Sequence, residues 1–442
     1  MKAYKSSRYN LILDLNDAPY PHVAANTFSG TVMYADGELA AFLRSFDPAE
    51  FDKLETQDSS LHTYLLKNSF VVEASLDEGE RVRIEFEQAK YADRQMHLTI
   101  APTERCNLAC IYCYESRGRG SSLTAAGRKR MKDFVERRRA GLTMLGVTWY
   151  GGEPLLAMRT IEDLSRYFMK LAEDDKIDYH ANMITNGTLL DDAKIDLLRE
   201  LKVNHLQITI DGPEEIHNQR RFYRSGKRAS YADILNGLKR CAGKISVGIR
   251  INVDKTNIDR YKELIDRLGS EKLLGPGSGN SVSLGLVKDW TELVGVERKA
   301  MLSLDDFQVK MNDLRDYLAE LGFMVSKPDD FVPKTPCGAL SISNFLITSK
   351  GDLKKCWIHA TGTNGMVGNL DTGLDLTRAE AVKWTAFNPA LDAKCSACSL
   401  LPVCAGGCPY EMLTQPERKE KYCAYMSNYV QNGILTAAMS KA

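Results

Sequence analysis

Three cysteines, Cys106, Cys110 and Cys113, stand in the spacing C-x3-C-x2-C, with an aromatic residue, Tyr112, directly before the last. A short loop can aim three thiolates at one point, and three thiolates suit an iron–sulfur cluster. They leave a four-iron cluster with one iron that no protein atom ligates. Such an iron can bind a small molecule, as the open position of a catalytic zinc site does. Three buried structural thiols, or a zinc site short of one ligand, are the alternatives. A second group, Cys337, Cys356, Cys395, Cys398, Cys404, Cys408 and Cys423, is interspersed with prolines and glycines and has no core-forming periodicity. Zinc remains an alternative for Cys395-x2-Cys398 and its neighbours. Cys241 stands alone on an expected helix face and reads as a small buried hydrophobe.

Other chemistry-bearing residues sit where strands end. Tyr150-Gly-Gly-Glu-Pro154 pairs two glycines, which let backbone approach a ligand, with strand-end carbonyls that accept from an ammonium group. Thr185-Asn-Gly-Thr188 is a polar turn able to bond a ribose or carboxylate; alone it is a common Asn-Gly turn. Asp211-Gly-Pro leads to Arg220 and Arg221, and a guanidinium grips a carboxylate with two parallel bonds. Asp211 itself reads as a turn residue. Arg250 and Asn252 are spaced to share one face of a strand, lining a pocket or forming an interior salt bridge.

The elements that must position these groups alternate from residue 95 to 330. Strands are expected at Met96–Thr103, Gly146–Tyr150, Tyr179–Thr185, His205–Asp211, Ser246–Asp254 and Val282–Lys288. Between them the pattern predicts helices at Leu123–Ala140, Thr160–Ala172, Asp191–Leu201, Tyr231–Cys241 and Ile258–Leu268, with caps at Ser122, Asp191 and Asn257. Repeated strand–helix units give a parallel sheet with right-handed crossovers, and such sheets bind ligands at the strand C-terminal ends. Phe307, Met311, Leu314 and Leu318 form a helical packing stripe. The lone histidines His62, His180 and His205 read as surface or core residues.

Residues 1–94 read as a small unit of strands (Tyr9–Asp14, from His22, from Thr31) and short helices (Asp36–Phe46, Leu61–Lys67). Phe70-Val-Val-Glu and Arg81–Glu87 are expected to pair as a closing hairpin around the polar turn Leu76–Glu80.

Totals narrow the classes further. The chain has 442 residues, 44% hydrophobic and 26% charged, with zero formal net charge. Nothing electrostatic argues for nucleic acid or an anionic membrane. No apolar run reaches a membrane span and the N-terminus lacks an apolar signal core, so a cytoplasmic location is expected. Cysteines stay reduced there, so eleven of them point to metal rather than disulfides.

The loop at Cys106–Cys113 resembles the signature of the radical S-adenosylmethionine (SAM) superfamily. That resemblance implies a [4Fe-4S] cluster on Cys106, Cys110 and Cys113, with SAM chelating the open iron and yielding a 5′-deoxyadenosyl radical that abstracts a hydrogen atom. It places Gly151, Gly152 and Glu153 at the SAM amino group and Arg221 at its carboxylate, with Arg220 as competitor. Tyr112, Asn186 and Arg250 complete the implied cofactor-binding set. The implied fold is α/β: a partial (β/α)6 TIM-like barrel at 95–330, a small N-terminal α+β domain at 1–94, and a C-terminal iron–sulfur domain at 331–442. The N-terminal unit resembles the winged-helix-like recognition element of enzymes that modify ribosomally made peptides (RiPPs), which can add a leader segment to a sheet edge.

The C-terminal cysteines resemble the SPASM (twitch-type) extension, which holds two auxiliary [4Fe-4S] clusters. By that resemblance Cys337, Cys356 and Cys408 hold one, with a fourth ligand open, and Cys395, Cys398, Cys404 and Cys423 hold the other. The function implied is a RiPP maturase that installs a thioether or carbon–carbon crosslink in a precursor peptide carrying a leader, with a flavodoxin- or ferredoxin-like electron donor. An anaerobic sulfatase-maturing (formylglycine-generating) enzyme is the alternative. In that family an aspartate serving as proton acceptor follows the cysteine matching Cys356, whereas this chain has Trp357. No general base is identified. A peptide epimerase, for which Cys241 is the spare cysteine, and a non-enzymatic iron–sulfur carrier or sensor are further readings.

Overall fold

The computed structural model describes residues 3–15, 20–115, 120–226, 228–288, 298–323, 336–360, 362 and 364–439. The chain divides into two compact units, residues 1–91 with 324–341 and 386–442, and residues 92–323 with 342–385. The division expected at 330 lies outside the described residues.

In the first unit, β1 (Tyr4–Ser6) pairs antiparallel with β5 (Val71–Glu73). Strands β2 (Asn10–Asp14), β3 (His22–Asn26) and β4 (Thr31–Ala35) form an antiparallel sheet in that order. Helices α1 (Gly37–Arg44), α2 (Pro48–Gln57) and α3 (Ser59–Lys67) follow, then α4 (Glu78–Tyr91) after β5. The central strand is apolar on both faces because both are covered. Ala24 packs with Leu43, Phe51 and Leu65 from the helices, while Val23 and Ala25 pack with Val403, Met426 and Ile434.

The closing hairpin is corrected here: Arg81–Glu87 lies within helix α4. Val82, Ile84 and Phe86 alternate as a strand would, yet Val82 and Phe86 also sit four apart on one helix face. Those two are buried and Ile84 is 43% exposed, so the helical period governs. Asp77 accepts from the Glu80 amide, and Arg81–Glu85 and Arg83–Glu80 pair along the helix. Helix α2 was not expected from periodicity; its signal is local, an Asp47 cap on the Ala49 amide followed by Pro48.

The second unit contains the barrel strands, all parallel: β6 (Gln95–Ile100), β7 (Met144–Trp149), β8 (Asp178–Thr185), β9 (Val203–Thr209), β10 (Ser246–Val253) and β11 (Ser281–Leu286). Between them run α5 (Ala125–Glu136), α6 (Met158–Asp175), α7 (Asp192–Glu200), α8 (Glu214–Arg220), α9 (Tyr231–Cys241) and α10 (Tyr261–Ser270), and α11 (Leu304–Glu320) follows β11. Beyond β6 the sheet continues through β12 (Phe345–Ile347), parallel to β6, and antiparallel β13 (Asp352–Lys354), β14 (Met366–Asn369) and β15 (Gly373–Leu374). This is the expected partial barrel. Residues 386–442 return to the first unit with α13 (Ala393–Ser396), α14 (Leu401–Cys404), α15 (Pro409–Thr414) and α16 (Lys419–Met439), after α12 (Ala379–Ala386).

Strand periodicity sets which residues reach the site. On β10, Val247, Ile249, Ile251 and Val253 are buried on one face, leaving Arg250 and Asn252 on the other. Asp191 caps α7 as expected. Two expected caps are corrected. Thr124, not Ser122, caps α5 by accepting from the Gly127 amide. Asn257 instead accepts from the Asp254 amide and donates to the Asp211 and Asn252 carbonyls, tying two strand ends together. Cys241 is buried as expected.

Candidate active site

A cavity of about 320 Å³ opens at the C-terminal ends of the barrel strands, and Cys106, Cys110 and Cys113 all line it. The loop carrying them follows β6, and the turn after β7 clamps it. The Gly152 amide donates to the Thr103 carbonyl (3.1 Å) and the Glu153 amide to the Arg105 carbonyl (2.8 Å). A Cβ on Gly152 would lie 2.3 Å from the Arg105 oxygen, and one on Gly151, whose φ is +103°, 2.6 Å from the Thr103 oxygen. Both glycines are therefore required by close backbone approach.

Burial pushes all three thiols up, Cys113 to about 12, and neighbouring cysteine charge adds to this at Cys106 and Cys113. The Arg221 charge favours the Cys110 thiolate, and backbone amides favour those of Cys106 and Cys113. Left alone, such thiols stay protonated; a bound metal centre compensates three buried thiolates. Among the described residues no three His, Cys, Asp or Glu side chains could together hold a single metal ion. Cysteines on a four-iron cluster bind different irons, and so stand farther apart than the ligands of one ion.

The Glu153 side chain turns away from the cavity. Its carboxylate is fully buried and absent from the cavity lining, accepting instead from Thr185 Oγ1 (2.7 Å), the Asn186 amide (2.7 Å) and the Leu155 amide (3.0 Å). It therefore positions the Thr185–Asn186 turn. Asn186 lines the cavity, donating to Asn107 Oδ1 (2.8 Å) with Nδ2 also 3.8 Å from the Cys106 sulfur.

The two arginines after Asp211 have separate roles. Arg220 is buried in an ion pair with Asp254 (2.7 Å) and Asp211 (3.4 Å), which removes it as a competitor for a ligand. Asp211, expected as a turn residue, is also a buried ionic partner that accepts from the Asn252 amide (3.1 Å). Arg221 lines the cavity, donates to the Tyr112 hydroxyl (2.7 Å), and keeps a buried Nε with no hydrogen-bond partner. His217, which burial holds well below its usual range, stays neutral; Ser230 links its ring to the Arg221 carbonyl. Tyr112 also accepts from Asn252 (3.2 Å), and Arg250 donates to Asn252 (3.0 Å). Arg250 faces the cavity, and among the described residues no carboxylate forms a salt bridge with it.

Sequence reasoning missed three further groups. Tyr114 and Tyr150 hydrogen-bond through their hydroxyls, and both line the cavity. Glu115, which hydrogen-bonds Tyr150, is pushed up by burial to about 7. Trp357 lines the same cavity, its indole stacked on Tyr150. Its signal in the sequence was its position beside Cys356. Of the second cysteine group, Cys423 is close enough for its charge to act on Cys395, and Cys404 and Cys408 both act on Tyr422.

Residues 100–268 match the Radical SAM superfamily. The matched stretch is a radical SAM domain, and the protein is an enzyme. It is 25% identical over 334 residues to the serine-type anaerobic sulfatase-maturating enzyme of Klebsiella aerogenes, covering 71% of this chain and 79% of the relative. It is 21% identical over 207 residues to the sporulation killing factor maturation protein SkfB of Bacillus subtilis, covering 47% of each. In fold it resembles anSMEcpe solved with bound AdoMet (TM-score 0.61, 19% identity, 78% of this chain and 100% of that one). It also resembles Streptococcus suis SuiB bound to its precursor peptide SuiA (TM-score 0.50, 18% identity, 92% and 95%). Among the described residues no helix is long and apolar enough to cross a membrane.

Proposed function

We propose that this enzyme is a radical SAM peptide maturase that abstracts a hydrogen atom from a ribosomally made precursor peptide and installs a thioether or carbon–carbon crosslink. When bound, a [4Fe-4S] cluster and SAM supply the 5′-deoxyadenosyl radical, with the electron drawn from a flavodoxin- or ferredoxin-like donor. Cys106, Cys110 and Cys113 would hold that cluster. Gly151, Gly152, Asn186, Arg221, Arg250 and Tyr112 would hold SAM. The orphaned Nε of Arg221, beside a cavity and free to donate, supports its role as carboxylate partner. Glu153 acts through the turn it holds.

Cys395, Cys398, Cys404 and Cys423 would hold one auxiliary [4Fe-4S] cluster and Cys337, Cys356 and Cys408 the other. The effect of the Cys423 charge on Cys395 supports the first set. Among the described residues no further strand pairs with the outer edges of the β2–β3–β4 sheet, both of whose faces are covered, and such edges suit a winged-helix-like domain that adds a leader strand. The likeness to SkfB and to SuiB supports a peptide substrate.

The observation that carries this reading over its rival is Trp357, an indole in the cavity where the sulfatase-maturing family has an aspartate base. Sulfatase maturation stands as a second reading because the Klebsiella relative aligns over 79% of its length. Intact-mass analysis separates them. Reconstituted enzyme, SAM and reductant are incubated anaerobically with leader-bearing precursor peptides and with a sulfatase-derived Ser or Cys peptide. Loss of two hydrogens from a precursor, with deoxyadenosine formed and a fragmentation gap across a ring, supports the crosslinking maturase. Oxidation of the sulfatase peptide alone overturns it.

A further inference from the structure

Trp357 offers the cavity an indole that is 42% exposed yet held on two sides. Its N–H donates to Thr99 Oγ1 on β6 at 3.1 Å. One face stacks on Tyr150, at the end of β7, with centroids 5.2 Å apart and planes at 29°. Tyr150 is itself bonded to Tyr114, the residue after Cys113, and Ile184 from β8 packs against the same cluster. Three barrel strands thus brace one aromatic platform. A large, fixed and half-exposed apolar surface in a cavity is the mark of a binding site.

The charges around the platform narrow what it binds. Arg221, Arg224, Arg250 and Lys288 line the cavity against Glu104 and Glu115. A cationic side chain would stack on the indole but meet this basic excess. An acidic one would compete with the SAM carboxylate for the arginines assigned to it. An uncharged aromatic ring gains the stacking and burial without either penalty.

We infer that Trp357 and Tyr150 form the receptor for an uncharged aromatic side chain of the peptide, and that this contact selects which segment enters the cavity. The inference rests on the peptide-maturase reading. The platform is a specificity element; no proton or electron is routed through it.

A double-mutant cycle tests it, using reconstituted full-length enzyme loaded with SAM, without reductant, and a labelled precursor peptide followed by fluorescence anisotropy. Each aromatic residue of the peptide is changed to Leu in turn, and the enzyme carries Trp357→Leu or Trp357→Phe. For one peptide position, the change to Leu is expected to weaken binding roughly tenfold with wild-type enzyme and not at all with Trp357→Leu. Trp357→Phe, which keeps a stacking ring, should restore most of that coupling. Wild-type binding that is indifferent to every aromatic residue overturns the inference, and needs no enzyme variant to fold. So does an equal loss in Trp357→Leu for peptides with and without the aromatic residue. If such peptides are nonetheless crosslinked, the maturase reading survives the failure; if no peptide binds or changes, both fall together.

Discussion

Gly152 is where the cysteine loop and the barrel come closest, and replacing it by alanine gives a sharp test of how the site is built. The added methyl would meet the Arg105 oxygen at 2.3 Å, the Arg105 carbonyl carbon at 2.6 Å and the Glu104 oxygen at 2.7 Å. All three are backbone atoms, so no side chain can rotate away. Restoring an ordinary contact of 3.4 Å requires a shift of roughly 1 Å in the segment that leads into Cys106. Overpacking of this kind costs about 1–3 kcal/mol. The shift also strains the hydrogen bonds from the Gly152 amide to the Thr103 carbonyl and from the Glu153 amide to the Arg105 carbonyl, each worth about 0.5–1.5 kcal/mol. Gly152→Ala should therefore lose about 2–6 kcal/mol in the barrel unit. A 1 Å displacement of reacting groups costs on the order of 100-fold in rate, so SAM cleavage should fall at least that far. Gly37→Ala, at the start of α1 with no atom within 4 Å of the new methyl, is the control and should match wild type. Iron content, urea midpoint and deoxyadenosine yield are measured on all three proteins. A Gly152→Ala protein with wild-type iron, stability and cleavage would refute the clamped-loop geometry.

Glu153→Ala should destabilise the fold by several kcal/mol, at about 1–3 kcal/mol for each of three donors left without an acceptor, read as a lowered urea midpoint. Arg220→Ala leaves Asp254 and Asp211 buried without their cation and should cost about 3–5 kcal/mol, with Asp254→Asn in the same chain recovering part of it. Lys355 carries a pH signature. Burial pushes its ammonium down from 10.5 to about 7, so the folded state binds fewer protons than the unfolded state between those values. Stability should rise as pH increases from 7 to 10.5; Lys355→Met should flatten that slope and gain most at or below pH 7.

The parts of this molecule that local chemistry dictates were legible in its sequence. Cysteine spacing placed Cys106, Cys110 and Cys113 on one loop, and period-two alternation located all six barrel strands. What was hidden depended on tertiary neighbours. Val82, Ile84 and Phe86 satisfy two periods at once, and only the burial of the first and last decides for a helix. Helix α8 carries a single apolar residue, Ile216, so it gives no apolar pattern, yet it sets Arg220 and Arg221 on different tasks. Glu153 sits in a ligand-facing motif, but the Thr185 hydroxyl and the Asn186 amide at the end of the next strand hold its carboxylate away from the cavity. Trp357 is far in sequence from the barrel strands, and reaches the site because β12 pairs with β6 and brings the following turn beside Tyr150.

The central claim is hydrogen-atom abstraction from a peptide, and isotope transfer tests it most directly. A precursor peptide made with perdeuterated residues is incubated with reconstituted enzyme, SAM and reductant, and the deoxyadenosine is analysed by mass spectrometry. One deuterium is expected in deoxyadenosine, matched to a peptide that has lost two hydrogens: the abstracted deuterium and, with it, the exchangeable thiol proton for a thioether or a second carbon-bound deuterium for a carbon–carbon bond. Deoxyadenosine formed without deuterium, from every such peptide and with the peptide unchanged, would contradict it.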